Sequence, residues 1–245
     1  MTRSETADLS VLHVIVPLRG AASGKSRLGL ALDAEERQVL ILGMLASTLD
    51  ALASWPSAAA VHLVTDERQT MDLVRGARPG INLVAEPPDG GLNTALRAAR
   101  DAAIARGATA ILILPADLPL ITAAALEAML DSADAAVAAG GGRPVVAIAA
   151  ADARRGTNAL LLSPPDIVEP EFGDASLEAH LRAAAEAEAS VQLVIDPALG
   201  FDLDTPDDLE RLELGRMLEL ERLGQLMLQP GLEVESEPEP AAGAV

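Results

Sequence analysis

The chain has 245 residues, of which 50% are hydrophobic, and a formal net charge of −19. This size allows one large core, and the charge disfavours nucleic acids and anionic membranes as partners, since both would be repelled. The absence of cysteine excludes disulfides, thiolate metal sites and a cysteine nucleophile. With no signal peptide and no apolar run of about 18 residues, we expect a cytoplasmic protein.

The first predicted strand, residues 11–16, leads into a basic loop. The strand is short, rich in β-branched residues and followed by Pro17, which is typical of a buried parallel strand. The polar residues 1–10 before it are expected to be flexible, so a single folded domain is predicted over residues 11–229.

The loop after this strand combines positive charge with glycine. Arg19, Lys25 and Arg27 supply three cations, and Gly20 and Gly24 allow backbone N–H groups to turn inward around an anion. In a chain this acidic, a local cluster of cations indicates that a small anion binds there. The loop therefore predicts a phosphate site.

Lys25 is the only lysine in the chain, so its ammonium differs chemically from every other basic side chain at a phosphate. The alternative is a lysine that survives by chance on a solvated loop. A Walker A loop is disfavoured because the spacing from Gly20 to Gly24 is one residue too short. The capping pattern Asp33-x-x-Glu36 also places the next helix too far along the chain.

Alternating strands and helices follow this loop. The predicted helices span residues 33–54, 67–75 and 94–106, and the predicted strands span residues 59–65, 81–85 and 109–114. Asn93 follows a turn-rich loop that contains Gly91 and is predicted to cap the third helix. This alternation predicts an α/β domain with a parallel core in its sheet.

Asp117 follows the strongest apolar strand of the chain, residues 109–114. In open parallel sheets, ligands bind at the carboxyl ends of the strands, so this carboxylate is a candidate metal ligand. The alternative is an aspartate that stabilises a turn or caps the next helix.

Shorter elements make up the second half. Helices are predicted over residues 122–130 and 177–189, with a long last helix that ends near residue 228, and strands over residues 135–138, 145–149, 159–162 and 190–195. Thr205 and Pro206 fit the cap and first position of the last helix. The acidic residues 230–245 have little to bury and are predicted to be disordered.

A second anion site is predicted where residues 172–176 lead into a helix, because the N–H groups at a helix N-terminus attract anions. Gly173 permits close backbone approach, Ser176 can donate from its hydroxyl, and Thr157 can donate from across the site. Asp174 would repel an anion and is expected to turn away as a cap.

The chain contains three histidines. His13 and His62 lie in strand-like runs and are predicted to be packing or edge residues. His180 lies four residues after Ser176, hence on the same helical face, and is predicted to be a pocket residue.

Six short motifs occur in order between residues 14 and 212. They are Gly24-Lys25-Ser26-Arg27-Leu28, Gly91-Leu92-Asn93, Ala116-Asp117-Leu118-Pro119, Gly156-Thr157-Asn158-Ala159-Leu160-Leu161, Phe172-Gly173 with Ser176, and Asp202-x-Asp204-Thr205-Pro206. Together they resemble the 2-phospho-L-lactate or phosphoenolpyruvate guanylyltransferases of coenzyme F-420 biosynthesis.

The resemblance implies a single-domain nucleotidyltransferase fold, Rossmann-like and of the GT-A type, with a mixed sheet that has a parallel core flanked by helices. It implies that GTP binds over the loop after the first strand and that Mg²⁺ is held by Asp117 and by Asp202 or Asp204. It places nucleotide binding at Pro17, Leu18, Gly24, Lys25, Gly91 and Asn93, and acceptor binding at Thr157, Gly173 and Ser176.

This layout needs no protein nucleophile. A phosphomonoester is largely dianionic near neutral pH and can attack the α-phosphorus of GTP directly. Mg²⁺ would neutralise the phosphates, while Lys25 with Arg19 or Arg27 would stabilise the charge on departing pyrophosphate.

Two other functions stay open at this point. One is a nucleotidyltransferase acting on another phosphorylated acceptor, such as a molybdopterin or isoprenoid intermediate. The other is a non-catalytic nucleotide-binding module, which would have no need for two separated acidic motifs. The acceptor also stays open among 2-phospho-L-lactate, phosphoenolpyruvate and 3-phosphoglycerate, which differ by small groups, and so does homodimerisation.

Overall fold

The structure, a computed structural model, describes residues 6–18, 25–86, 90–151 and 156–228. Arg19 and Gly24 of the predicted phosphate loop and the predicted disordered tail lie outside these residues.

The described residues form one mixed sheet in the order β3-β2-β1-β4-β6-β5-β7. Its strands are β1 (Leu12–Pro17), β2 (Ala58–Thr65), β3 (Asn82–Ala85), β4 (Ala110–Ile113), β5 (Val145–Ala150), β6 (Thr157–Ser163) and β7 (Ser190–Val194). Neighbouring strands are parallel, except that β6 runs antiparallel to both β4 and β5. The predicted mixed sheet with a parallel core is confirmed.

Helices cover both faces of this sheet. They are α1 (Ala34–Ala53), α2 (Arg68–Ala77), α3 (Gly91–Ala105), α4 (Ala123–Gly140), α5 (Ser176–Glu186), α6 (Pro197–Gly200), α7 (Pro206–Arg211) and α8 (Leu214–Leu228), with a 3₁₀ helix at Ser26–Leu30. Side chains alternate along β1, so Val14 and Val16 belong to the core on the face covered by α1, α4 and α8, whereas Ile15 belongs to the core on the face covered by α3 and α5. None of the described helices has the length and hydropathy needed to span a bilayer.

Helix α1 starts where the sequence predicts. The Asp33 side chain accepts hydrogen bonds from two first-turn N–H groups, and the Glu36 carboxylate accepts the Asp33 N–H at 2.8 Å. Further along, α1 touches α8 backbone to backbone. A Cβ on Gly43 would lie 1.9 Å from the Leu220 carbonyl oxygen, so the contact requires glycine. Helix α8 thereby supports the helix that walls the site described below.

Two element predictions are wrong. Residues 135–138 belong to α4, not to a strand, because alanine favours helix and the buried Met129, Ala133 and Ala136 recur with a helical period. The last helix is divided into α7 and α8. Its predicted start is confirmed, with Thr205 as the cap and Pro206 in the first turn.

His13 and His62 face each other from adjacent parallel strands. Both are buried, and Nδ1 of His13 lies 3.0 Å from Nε2 of His62, which confirms them as packing residues. Burial lowers the pKa of His62 to about 4, with His13 and Arg106 adding to the effect, and burial also lowers the pKa of His13. Among the described residues, Nδ1 of His62 has no hydrogen-bond partner. The pair is therefore neutral at pH 7.

We expect the free energy of unfolding to fall as the pH drops from 6.5 toward 4. The unfolded chain protonates His62 near its ordinary pKa of 6.5, whereas the folded chain does so only near 4. Acid therefore favours the unfolded state, by about 2 kcal/mol near pH 5 for this histidine. Urea unfolding of the wild type and of His62→Gln, at about pH 7.5 and about pH 5, measures the effect. The variant should lose less stability in acid, and equal losses would contradict the assignment.

Candidate active site

A cavity of about 780 Å³ opens at the carboxyl ends of β1 and β4. Because β6 runs antiparallel to β4, its first residue, Thr157, lies at this same edge of the sheet. The cavity is lined by ten residues predicted for the site: Pro17, Leu18, Lys25, Arg27, Asp117, Thr157, Gly173, Ser176, Asp202 and Asp204. The edge that the sequence predicts for ligand binding is thus where these side chains meet.

Lys25 stands between the two acidic motifs. Its Nζ donates to Asp117 Oδ2 at 2.6 Å and also to Asp204 Oδ1 across a short ion pair. The lysine side chain is only 12% exposed. Its backbone has a φ of 56°, a left-handed conformation that costs a non-glycine residue energy and is enriched at functional sites. Burial alone would lower the pKa of Lys25, but the Asp117 and Asp204 carboxylates raise it above its ordinary value. The ammonium is therefore charged at neutral pH.

Backbone hydrogen bonds hold the two acidic loops together. The Leu203 N–H donates to the Asp117 carbonyl at 3.0 Å, which fixes the second loop against the end of β4. The buried Asp208 carboxylate accepts the N–H groups of Asp204 and Thr205 at 3.0 and 2.8 Å. Asp208 therefore serves the N-terminus of α7, while the side chain of Asp204 is directed at Lys25.

The converging carboxylates fit the ligands of a hard divalent cation. Asp117 and Asp204 contact the same atom, Lys25 Nζ, so their oxygens converge on one point, and Asp202 also borders the cavity. No cluster of three or more potential metal ligands is found in the described part of the chain. Mg²⁺ commonly takes only one or two carboxylates and completes its shell with phosphates and water.

Another part of the cavity lining is the segment before α5. Gly173 has a φ of 134° and Ala175 a φ of 57°, so two left-handed residues shape this turn. The turn is fixed by Asn93, whose amide accepts the Phe172 N–H at 2.8 Å and donates to the Phe172 carbonyl at 3.0 Å. Asp174 lines the cavity and does not cap α5, contrary to prediction, because the cap position falls on Ala175.

The predicted helix cap at Asn93 is wrong. Helix α3 begins at Gly91, after Gly90, and Asn93 lies inside its first turn. Its side chain instead holds the backbone of Phe172, in the segment before α5, and Leu92 is the residue of this motif that lines the cavity. Binding of nucleotide by Gly91 and Asn93 stays a prediction.

Thr157 and Ser176 meet at the predicted acceptor site, and His180 lies behind them. The Thr157 N–H donates to Ser176 Oγ at 2.9 Å, and Thr157 Oγ1 lies 2.9 Å from His180 Nδ1. His180 shares the helical face of Ser176, as predicted, but it is fully buried and does not line the cavity. The prediction of a pocket residue is therefore wrong for His180.

Sequence reasoning missed the apolar wall and one amide. Ile41 and Met44 of α1 line the cavity, although an apolar helix face carries no signal that separates a site wall from core. Asn158 also lines it and donates to the Gly200 carbonyl at 2.9 Å. Its place in the Gly156-Thr157-Asn158 motif was the available signal.

The mixed seven-strand sheet of the described residues, with its flanking helices, is a nucleotidyltransferase fold. A solved structure described as a nucleotide-diphospho-sugar transferase from Desulfovibrio desulfuricans G20 matches with a TM-score of 0.69 and 16% identity, covering 89% of this chain and 96% of that one. At this identity the likeness concerns the fold alone.

The sequence comparison identifies the family. The family described as guanylyl transferase CofC like matches residues 12–217, and the chain belongs to this family. It is 40% identical over 200 residues to the phosphoenolpyruvate guanylyltransferase of Sphaerobacter thermophilus, covering 81% of this chain and 90% of that protein. It is 34% identical over 208 residues to the 3-phospho-D-glycerate guanylyltransferase of Phenylobacterium zucineum, with coverages of 83% and 90%. The predicted resemblance is confirmed.

Proposed function

We propose that the chain transfers GMP from GTP to a small phosphorylated carboxylic acid and releases pyrophosphate. One observation carries the proposal: a single cavity is lined both by an ammonium between two carboxylates and by a turn that ends in a hydroxyl pair. The carboxylates of the first group would hold a divalent cation that binds nucleotide phosphates, and the hydroxyls of the second group suit a small anion. The relatives named above are guanylyltransferases for two such acids, phosphoenolpyruvate and 3-phospho-D-glycerate.

In this mechanism, a phosphate oxygen of the acceptor attacks the α-phosphorus of GTP. A new phosphoanhydride bond forms, and the bond from the α-phosphorus to the oxygen that bridges it to the β-phosphorus breaks. The acceptor phosphate is already anionic at neutral pH, so no side chain needs to remove a proton. The protein acts mainly by aligning anions that repel one another.

Asp117 and Asp204 are the residues that would hold Mg²⁺, with Asp202 beside them. When bound, the ion would neutralise the phosphate oxygens and stabilise charge in the transition state. Lys25 supplies a further positive charge next to these carboxylates, because its raised pKa keeps the ammonium protonated. With Arg27, which is exposed at the cavity, Lys25 would stabilise the charge that gathers on departing pyrophosphate.

The proposal is tested by a pyrophosphate-release screen. The purified chain is incubated with 2-phospho-L-lactate, phosphoenolpyruvate or 3-phosphoglycerate, each with GTP, ATP, CTP or UTP, with and without Mg²⁺. We expect release with GTP, Mg²⁺ and at least one of the acids. Binding of GTP without release from any acid would contradict the transfer reaction and favour a non-catalytic nucleotide-binding module.

Thr157→Ala and Ser176→Ala should each raise KM for the phospho-acid about tenfold, the worth of one charge-assisted hydrogen bond. KM for GTP should change little, because both hydroxyls belong to β6 and α5, whereas Lys25 contacts the separate pair Asp117 and Asp204. Steady-state kinetics with each substrate varied in turn measures both KM values. Thr70→Ala removes a buried threonine of α2, away from the cavity, and should leave both KM values unchanged. A rise in the GTP KM alone would mean that the two substrates are assigned to the wrong walls.

A further inference from the structure

His180 lies behind the predicted acceptor site and contacts both of its parts, the start of β6 and the segment before α5. Its Nε2 lies 3.0 Å from the Glu171 backbone nitrogen, just before the acceptor turn, and its Nδ1 lies 2.9 Å from Thr157 Oγ1. The ring is fully buried and meets Phe172 edge to face, with centroids 5.2 Å apart. The mechanism described above leaves this polar ring without a role.

The backbone fixes which ring nitrogen carries the proton. A backbone N–H can only donate, so Nε2 of His180 must accept the hydrogen bond from Glu171. Burial lowers the pKa of His180 to about 4, so the ring is neutral at pH 7 and carries one proton. That proton is therefore on Nδ1, from which it is donated to Thr157 Oγ1.

The direction of the hydrogen bond from His180 to Thr157 determines whether the two hydroxyls of the site donate to a ligand or accept from it. Thr157 Oγ1 accepts from His180, so its own hydrogen is available to donate to a ligand. Ser176 Oγ accepts the Thr157 N–H, so the hydrogen of Ser176 is likewise available. Each oxygen already receives a bond from inside the protein, and both groups consequently act as donors toward the cavity.

We propose that His180 is a positioning residue, which donates from Nδ1 and thereby sets Thr157 Oγ1 as a hydrogen-bond donor toward the phospho-acid. The inference rests on the proposed function and deepens it, since it names the residue that orients a donor of the acceptor site. A carboxylate only accepts hydrogen bonds, which matches two converging donors. A phosphorylated acceptor without a carboxylate, such as glycerol 3-phosphate, lacks that group and should be used at least tenfold less well.

The tautomer can be measured without any reaction. Nitrogen-15 NMR of the full chain with labelled histidine distinguishes Nδ1–H from Nε2–H rings, and the signals that vanish in His180→Gln assign His180. We expect the neutral Nδ1–H form at pH 7. An Nε2–H ring or a charged ring would overturn the inference, whether or not the chain transfers GMP.

Kinetics of paired variants test the effect on the substrate. His180→Met keeps the size of the side chain but removes both hydrogen bonds, and it should raise KM for the phospho-acid about tenfold while KM for GTP stays within about twofold. His180→Gln can supply one acceptor and one donor and should restore most of the affinity. Calorimetric titration with the phospho-acid gives the same comparison as binding constants, even if turnover is too low to measure.

A double-mutant cycle separates positioning from a general structural role. If His180 acts through the Thr157 hydroxyl, His180→Met should add little to the KM of a chain that already carries Thr157→Val. If His180→Met and Thr157→Val each raised KM independently, so that their effects multiplied in the double variant, the inference would be overturned. Circular dichroism and thermal unfolding check that each variant is folded. Should His180→Met fail to fold, His180→Gln and the tautomer measurement still decide the question.

Discussion

Lys25→Ala should lower kcat/KM for guanylyl transfer by about 10²-fold or more. This is the usual scale for the loss of one preorganised charge at a developing anion. The effect should be large here because the ammonium is buried and held by carboxylates on both sides. Pyrophosphate release at varied GTP concentration measures it.

Two controls belong with this variant. Arg75→Ala removes an exposed cation that pairs with Asp72 on α2, outside the cavity, and should leave turnover unchanged. Lys25→Arg keeps the charge but places a wide planar group in a narrow gap, so it should restore little activity. Turnover at the wild-type level in Lys25→Ala would contradict a catalytic role for this lysine.

Although Lys25→Ala should lower activity, it should raise the affinity of the site for a divalent cation. In the wild type, Lys25 neutralises the point on which Asp117 and Asp204 converge. Without it, the two carboxylates lose their internal counter-ion and should bind a divalent cation more tightly. Titration of the nucleotide-free Lys25→Ala chain with Mn²⁺ should therefore give a lower Kd than the wild type. Unchanged affinity would mean that the cation binds elsewhere.

The order and type of most elements could be predicted because their signals are local. The capping pair of Asp33 and Glu36 gives the start of α1 within four residues of sequence, and the start of α7 at Thr205 and Pro206 is equally local. The strand prediction for the alanine-rich residues 135–138 is wrong because a short apolar run fits strand or helix, and only packing on the sheet decides between them.

The partners within the site could not be predicted in the same way. Lys25 stands out as the only lysine, but its carboxylate partners are 92 and 179 positions away and no local pattern connects them. The prediction that Asn93 caps a helix is wrong for a related reason. An asparagine near a helix start commonly caps it, whereas here the amide binds the backbone of Phe172, 79 positions later. Such contacts depend on how the strands are ordered in the sheet.

Asp117→Asn should abolish Mg²⁺-dependent pyrophosphate release while the fold stays intact. Asparagine has nearly the same size, and the bond from the Leu203 N–H goes to the backbone carbonyl of residue 117, so the substitution retains it. What is lost is the negative charge that faces Lys25 and would hold the ion. Activity assays beside circular dichroism measure both effects, and Asp131→Asn, an exposed aspartate of α4, is the matched control.

The second carboxylate can be identified by the same substitution. Asp204→Asn should reduce activity far more than Asp202→Asn, because Asp204 shares the Lys25 ammonium with Asp117. Mn²⁺ affinity should follow the same order, since a carboxylate that binds the ion contributes directly to its Kd. The reverse order would make Asp202 the second ligand. If activity fell only in step with the loss of folded protein, Asp117 and Asp204 would instead be structural partners of Lys25.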